Sequence, residues 1–223
     1  MTLDFLSPRP SSGTTLRSPM LDAALVAGAA EEMRDGWAVP ASFGDSVAES
    51  EACLTDVGFA DASALGKFEV SGGSARAGGN AAVRLADGWR CPVRPDRELV
   101  LCEPAAAARR HADLSAGSAR VCDLTASLAA LVIAGPLAQE TFARFCALDF
   151  RESAFPVGGF RPGSVARTPG FVLREAPRRY LMLFGAAYSD YIWGTVTLAV
   201  RGLGGRPVGA TALPPIEMEA AGA

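Results

Sequence analysis

The sequence predicts an α+β fold in which helices pack against antiparallel strands. Apolar residues recur with helical spacing in some segments and follow strand-like patterns in others, and turns rich in Gly and Pro separate these segments. Three consecutive strand-like segments near the C-terminal end form a meander without intervening helices. With 223 residues, of which 49% are hydrophobic, the chain has enough apolar surface for one core.

The pattern divides the chain into a leader, a domain and a tail. Residues 1–17 are rich in Pro, Ser and Thr and lack the features of a signal peptide, which indicates a disordered leader. A single domain is expected over 18–209, with lobes of about 18–114 and 120–209 that repeat a loose pattern of helices and antiparallel strands. Residues 210–223 are expected to form a flexible tail.

In the first lobe, Ser18-Pro19 is typical of a helix start and predicts a helix as far as Met33. A second helix is predicted over 46–57, with Glu49 and Glu51 facing solvent. The other predicted elements are strands at 65–70, 81–85 and 99–102, a flexible loop at 71–79, a proline-bearing turn at 92–95, and a helix from Pro104 to about Leu114.

The second lobe is predicted to begin with two strands and a helix and to end with a meander and a long helix. The elements are strands at Val121 and 128–134, a helix starting at Gly135-Pro136, strands at 164–168, 171–174 and 180–184 with turns at Pro169-Gly170 and Pro177, and a helix over 188–203 with Tyr191, Ile192, Val196 and Val200 inward. Tyr188, Tyr191 and Trp193 are candidates for either core or a partner-binding face.

Composition excludes several function classes. A net charge of -3 without a basic cluster argues against nucleic-acid binding. The five scattered cysteines indicate a reduced, cytoplasmic protein, and the most apolar segment, 128–134, is too short to cross a bilayer. A single histidine, His111, argues against a histidine-based metal site or a Ser-His-Asp triad, so no metal is expected. Motifs for nucleotide binding are absent from the sequence.

Several segments resemble a known family in order and spacing. Ser18-Pro19-Met20-Leu21, RDGWAVP at 34–40 and FADASALGK at 59–67 are similar to the opening of the glycine-cleavage T-protein aminomethyltransferases. ALDF at 147–150, FRPG at 160–163, VART at 165–168 and the aromatic run at 188–193 resemble the sarcosine oxidase gamma subunit. This resemblance covers 18–209 and implies two related antiparallel-sheet lobes of a folate-binding fold that lacks the C-terminal barrel.

The resemblance implies a pocket between the lobes that holds the pterin of tetrahydrofolate. Leu65 takes the place of the methionine that contacts the pterin in the family, and Glu103 takes the place of an asparagine at a strand end. These two residues are therefore the candidate cofactor-binding residues. The alternative is that Leu65 is core and Glu103 favours the first turn of the helix at Pro104.

The family's catalytic aspartate has no match, which leaves the catalytic residue unknown; Asp87, Asp96 and Glu103 remain possible substitutes. The family's folate-clamping glutamate motif shrinks to 174–177, and its folate-binding arginine has no counterpart.

The resemblance therefore implies a protein of folate-linked one-carbon or amine metabolism that acts mainly as a binding or structural subunit. Its implied partners are subunits of a flavin-dependent amine oxidase. Two alternatives stay open: a stand-alone tetrahydrofolate-dependent aminomethyl- or methyltransferase, and a scaffold that has lost both folate and oxidase partners.

Overall fold

The computed structural model describes residues 16–72 and 81–216. In this part of the chain the strands are β1 Leu16–Arg17, β2 Ala30–Arg34, β3 Trp37–Ser42, β4 Gly58–Asp61, β5 Gly66–Ser71, β6 Val83–Leu85, β7 Gly88–Arg94, β8 Arg97–Cys102, β9 Arg120–Asp123, β10 Leu128–Ala134, β11 Phe160–Val165, β12 Thr168–Ala176, β13 Arg179–Gly185 and β14 Arg206–Pro207. The α-helices are α1 Leu21–Val26, α2 Ser46–Thr55, α3 Ala107–Ser115, α4 Ala138–Ala143 and α5 Ser189–Arg201. Most of the predicted leader and of the predicted 71–79 loop, and the end of the predicted tail, lie outside these residues.

A six-stranded sheet in the order β11-β12-β13-β10-β4-β14 forms the centre of the molecule. Its β10 is a continuous apolar run that pairs antiparallel with β13 on one side and β4 on the other. Alternate side chains of β10 therefore enter two different cores, one on each face. On one face, Leu131 and Ile133 pack with Met20 of the turn before α1, Phe142 of α4 and residues of α5.

A five-stranded sheet in the order β6-β7-β8-β5-β9 covers the other face. There Val132 and Leu181 of the first sheet pack against Trp89 and Leu101 of the second. The outer face of the five-stranded sheet carries a smaller cluster around Phe68, with residues of α3 packed against it. The layers are therefore helices, sheet, sheet and helix.

A third sheet, in the order β1-β3-β2, closes one end of these layers. The predicted α+β class, with antiparallel sheets and packed helices, is confirmed. Each of the two larger sheets contains strands from both halves of the chain. In the six-stranded sheet β4 pairs with β10, and in the five-stranded sheet β5 pairs with β9. None of the helices in 16–72 and 81–216 has the length and apolar character needed to span a membrane.

The first predicted helix is shorter than expected. It ends at Val26, with Ala27 as its C-cap. Gly28 follows with a φ of +97°, and the chain then forms a hairpin of β2 and β3 that turns at Asp35-Gly36. Glycine adopts this left-handed conformation at little cost, so it terminates the helix. The predicted outward position of Glu49 in α2 is also wrong, since Glu49 is buried while Glu51 is exposed.

Proline misled the sequence prediction at two turns. Pro92 lies inside β7, where it is the register partner of Glu98 of β8, and it lies beyond the residues of β7 that pair with β6. The meander turns at Ala166-Arg167, both with positive φ, whereas the predicted turn residues Pro169-Gly170 lie inside β12. In α5, Tyr191 is exposed where an inward position was predicted, and Trp193 belongs to the core.

Candidate ligand-binding site between the sheets

A cavity of about 350 Å³ lies between the six-stranded and the five-stranded sheet. Four parts of the chain line it: Asp61, Val132, Glu175, Arg179 and Leu181 from the six-stranded sheet; Gly88, Trp89, Leu101 and Cys102 from the five-stranded sheet; Arg34, Asp35, Val39 and Pro40 from the β2–β3 hairpin; and Ala210, Leu213 and Ile216 from the C-terminal segment. Arg84 of β6 and the turn residues Ala62, Ala64, Leu65, Asp87, Glu103 and Pro104 complete the lining. The lining thus offers both polar and apolar contacts to a ligand.

One wall is apolar and aromatic. Leu101 and Leu181 face each other from the two sheets, and Trp89 is 7% exposed beside them. The Arg84 guanidinium lies 4.9 Å from the Trp89 ring centroid, within the range of a cation–π contact. Gly88 is required next to Trp89, because a Cβ there would stand 2.0 Å from the Leu101 carbonyl oxygen.

Glu175 places a fixed carboxylate in the cavity. The Trp89 Nε1–H donates to Glu175 Oε1 at 3.1 Å, and the Arg179 Nε–H donates to Oε2 at 2.9 Å. Arg179 is itself held by donation from Nη1 to the Pro214 carbonyl at 2.8 Å. Each carboxylate oxygen has a second lone pair, so Glu175 can accept further hydrogen bonds from a ligand.

A second carboxylate, Asp87, stands in the turn between β6 and β7. Two arginines of α3 bind it, Arg109 at 3.3 Å and Arg110 more closely. The Asp87 side chain is only 10% exposed. Its backbone carbonyl also accepts from the Glu103 N–H at 2.8 Å, so the turn is tied to the end of β8. Asp96, the other aspartate considered as a substitute, lies in the turn at the opposite end of β8.

A third carboxylate, Asp61, ends β4 beside a buried amine. Asp61 accepts hydrogen bonds from the Ser18 hydroxyl and from the Ser63 N–H. Burial raises the pKa of Asp61 above its ordinary value, and these hydrogen bonds together with the nearby Lys67 charge only partly offset it. Lys67 Nζ donates to the carbonyls of Ser63 and Leu65, both at 2.8 Å, which fixes the turn at the cavity floor.

Leu65 and Glu103, the two predicted site residues, both line this cavity. Gly66 is the register partner of Cys102 in the β5–β8 ladder, so Leu65 and Glu103 stand side by side at its end. Leu65 also packs against the core between the sheets, while Glu103 is exposed and makes no side-chain cap to the helical turn at Pro104. Their role in binding a cofactor stays a prediction.

Sequence reasoning missed Glu175, Arg179 and Lys67. A signal for Glu175 was present, because Arg174 and Glu175 follow an apolar run within one strand, whereas Arg179 is the first residue of its strand. Lys67 is the only lysine of the chain and follows a turn at the start of a buried strand. Within 16–72 and 81–216, no group of His, Cys, Asp and Glu side chains has the geometry of a metal site.

No family model and no curated protein sequence matches the chain. Two solved structures are similar in fold. A chain of the heterotetrameric sarcosine oxidase from Corynebacterium sp. U-96 in complex with pyrrole 2-carboxylate gives a TM-score of 0.59 at 16% identity, over 70% of this chain and 91% of that one. The glycine cleavage system aminomethyltransferase T from Bartonella henselae gives a TM-score of 0.74 at 14% identity, over 89% of this chain and 61% of that one.

These similarities confirm the resemblance suggested by the sequence. At such low identity they establish the fold and leave the activity to the site itself. The chain spans less than two thirds of the length of the aminomethyltransferase. The protein therefore has a T-protein-like α+β fold, with a lined cavity between its two larger sheets.

Proposed function

We propose that the chain binds tetrahydrofolate through its pterin in the cavity between the sheets. It serves folate-linked one-carbon or amine metabolism in the cytoplasm, mainly as a binding or structural subunit. The observation that carries this proposal is the Glu175 carboxylate, held by Trp89 and Arg179 in a cavity that also has an apolar and aromatic wall.

The chemistry of this cavity suits a pterin. A pterin is a flat heterocycle with N–H donors along one edge, and a fixed carboxylate can accept hydrogen bonds from that edge. Leu65 and Leu181 offer apolar contact to the faces of the ring. Glu103 at the rim supplies a second acceptor beside Leu65.

The subunit role is supported by the way the acidic groups are occupied. Asp87 is neutralised by two arginines, and Glu175 is bound by Arg179. Neither is available as a free base, so both are suited to binding rather than to proton transfer. The similar sarcosine oxidase is a heterotetramer, and we propose subunits of a flavin-dependent amine oxidase as the partners of this chain.

Asp61 favours the alternative, a stand-alone tetrahydrofolate-dependent aminomethyl- or methyltransferase. It lines the cavity, and its raised pKa lets it hold a proton closer to neutral pH than an ordinary aspartate. Turnover of a methylamine donor by the lone chain, abolished in Asp61→Asn, would establish this activity. Absence of turnover together with tetrahydrofolate binding supports the subunit role.

Titration calorimetry with tetrahydrofolate tests the binding site. In Glu175→Gln the dissociation constant is expected to rise roughly 10- to 100-fold, because hydrogen bonds to a charged acceptor contribute about 1.5 to 3 kcal/mol. Glu152→Gln, a change of the same chemistry at an exposed residue outside the cavity, should leave the affinity unchanged. Failure of the natural chain to bind, or equal affinities in natural chain and Glu175→Gln, would reject the site.

Glu103→Gln tests whether the pterin edge binds at the rim of the cavity or at Glu175 in its interior. Glu103 is exposed, so solvent weakens its hydrogen bonds, and we expect the tetrahydrofolate dissociation constant to rise only about threefold. The same calorimetric titration measures this change. An effect larger than that of Glu175→Gln would place the pterin edge at the rim instead.

A further inference from the structure

We propose that the outer face of α5 is a self-association surface, on which two copies of this chain pack their α5 helices antiparallel around a two-fold axis. The inference goes beyond folate binding and depends on none of the cavity residues. Its basis is the set of exposed apolar side chains on the outer face of α5, a glycine beside them on that face, and the two opposite charges of Asp190 and Arg201 along one side of it.

Within 16–72 and 81–216, no part of the chain covers the exposed apolar side chains of this face. Tyr191 and Leu198 of α5 are 51% and 76% exposed, and Tyr188 in the turn before the helix is 46% exposed. At about 100° per residue, Tyr191, Gly194 and Leu198 fall within roughly 60° of one another, opposite the buried side of the helix. Thr195 beside them satisfies its own hydroxyl by donating to the Tyr191 carbonyl at 2.9 Å, so its methyl group is what the surface presents.

Nothing in the part of the chain that the structure describes explains Gly194. It sits inside a helix with ordinary backbone geometry, and outside the helix's own backbone a Cβ built there meets no described atom within 4 Å. Glycine in an exposed helix interior weakens the helix relative to alanine, so the fold alone favours a larger residue. A glycine at this point allows a second helix to approach closely.

The charges on α5 select the antiparallel orientation. Asp190 in the first turn and Arg201 at the end lie on the same flank of the apolar stripe, by the same 100° spacing. When two α5 helices cross antiparallel midway between Gly194 and Thr195, Tyr191 meets Leu198 of the second copy. Asp190 then lies about 3 Å along the helix axis from Arg201 of the second copy, at a rise of 1.5 Å per residue.

In a parallel two-fold arrangement the equivalent flanks of the two helices lie on opposite sides of the contact, so neither Asp190 nor Arg201 gains an oppositely charged neighbour. The antiparallel contact is isologous and therefore closes at two chains. One pair of helices of this length buries less than the roughly 800 Å² per partner of a standard interface. We therefore expect a dimer with a dissociation constant in the micromolar range.

Sedimentation velocity of the full chain, from about 1 to 300 μM, tests the proposal. A monomer–dimer equilibrium is the expected result. Leu198→Ser should raise the dissociation constant about tenfold, whereas Val47→Ser should leave it unchanged; Val47 is 75% exposed on a different helix, so it is a matched control. Circular dichroism establishes that each variant is folded.

Charge reversal gives the sharper test. Asp190→Arg and Arg201→Asp should each weaken the dimer at least tenfold, since each brings like charges together. An equimolar mixture of the two variants should form a heterodimer as tight as the natural dimer, because both cross-pairs are again opposite in sign. This recovery cannot arise from misfolding of either variant.

Three results would overturn the proposal: a monomer at every concentration, a dimer indifferent to Asp190 and Arg201, or no recovery in the mixture. Binding of an amine oxidase subunit to this face in place of a second copy would overturn it as well. Tetrahydrofolate affinity of Asp190→Arg should equal that of the natural chain. A failure of the folate proposal therefore leaves this one standing, and the reverse also holds.

Discussion

Replacement of Glu49 by alanine is expected to lower the free energy of unfolding by about 3 kcal/mol. Glu49 is 2% exposed, and its carboxylate accepts from the Ser42 hydroxyl at 2.9 Å and from the N–H groups of Phe43 at 2.7 Å and Gly209 at 2.6 Å. Alanine leaves both N–H groups without an acceptor, and each buried unpaired donor costs about 1 to 3 kcal/mol. Gly209 is enclosed, since a Cβ there would stand 1.8 Å from the Ala41 carbonyl oxygen.

Glu51→Ala is the matched control, because Glu51 lies in the same helix and faces solvent. Its effect should stay within about 0.5 kcal/mol. Urea unfolding followed by circular dichroism measures both values. Equal losses in the two variants would mean that the Glu49 hydrogen bonds contribute nothing net.

The burial of Glu49 shows what periodicity could not predict. The apolar residues of α2 suggest several possible inward faces, and Val47 and Leu54 turn out to be exposed. The buried face of α2 is determined by the hydrogen bond that the Gly209 N–H donates to Glu49, from a position 160 residues further along the chain. Local spacing carries no information about such a distant partner.

Strand prediction succeeded where the residues of a segment were apolar throughout. The run at β10 is apolar throughout, which is typical of a strand buried on both faces, and it forms the middle of the six-stranded sheet. Strand β7 was missed because Pro92 and Pro95 suggested a turn. Pro92 nevertheless pairs with Glu98 of β8, and this pairing cannot be predicted from local sequence patterns.

The candidate site was predictable in part. The resemblance pointed to Leu65 and Glu103, and the structure places both in the cavity lining. The carboxylate with the firmest anchors, Glu175, was not chosen, because its bond to Trp89 joins residues 86 positions apart. Its place after an apolar run indicated a buried charge, but the sequence did not show which residue would be its partner.

Replacement of Lys67 is the second change for which we expect a large loss of stability. Its ammonium is 0% exposed and donates to three backbone carbonyls, those of Ser63 and Leu65 at 2.8 Å and of Thr125 at 3.1 Å. Burial lowers the pKa of Lys67 from 10.5 to about 8, against the smaller opposing effect of Asp61. Methionine fills the same space but leaves the three carbonyls unpaired.

We expect Lys67→Met to lower the free energy of unfolding by about 2 kcal/mol at pH 7. The lost hydrogen bonds cost more than the roughly 3 kcal/mol regained by removing a charge whose pKa is lowered by burial. Because the turn at 62–65 lines the cavity, tetrahydrofolate affinity should fall as well. Urea unfolding at pH 7 measures the first effect and calorimetry the second.

The stability difference between the natural chain and Lys67→Met should widen by about 1 kcal/mol between pH 7.5 and 9. The folded pKa lies below the unfolded one, so in this range the unfolded chain binds more protons and deprotonation favours the fold. Below pH 7 both states carry the proton, and the difference in stability should not change with pH.

Since Lys67 is the only lysine, lysine-specific isotope labelling gives one side-chain signal, and its titration midpoint should lie near pH 8. A midpoint near 10.5, with a pH-independent difference in stability, would show that the amine is solvated and that it does not hold the cavity floor.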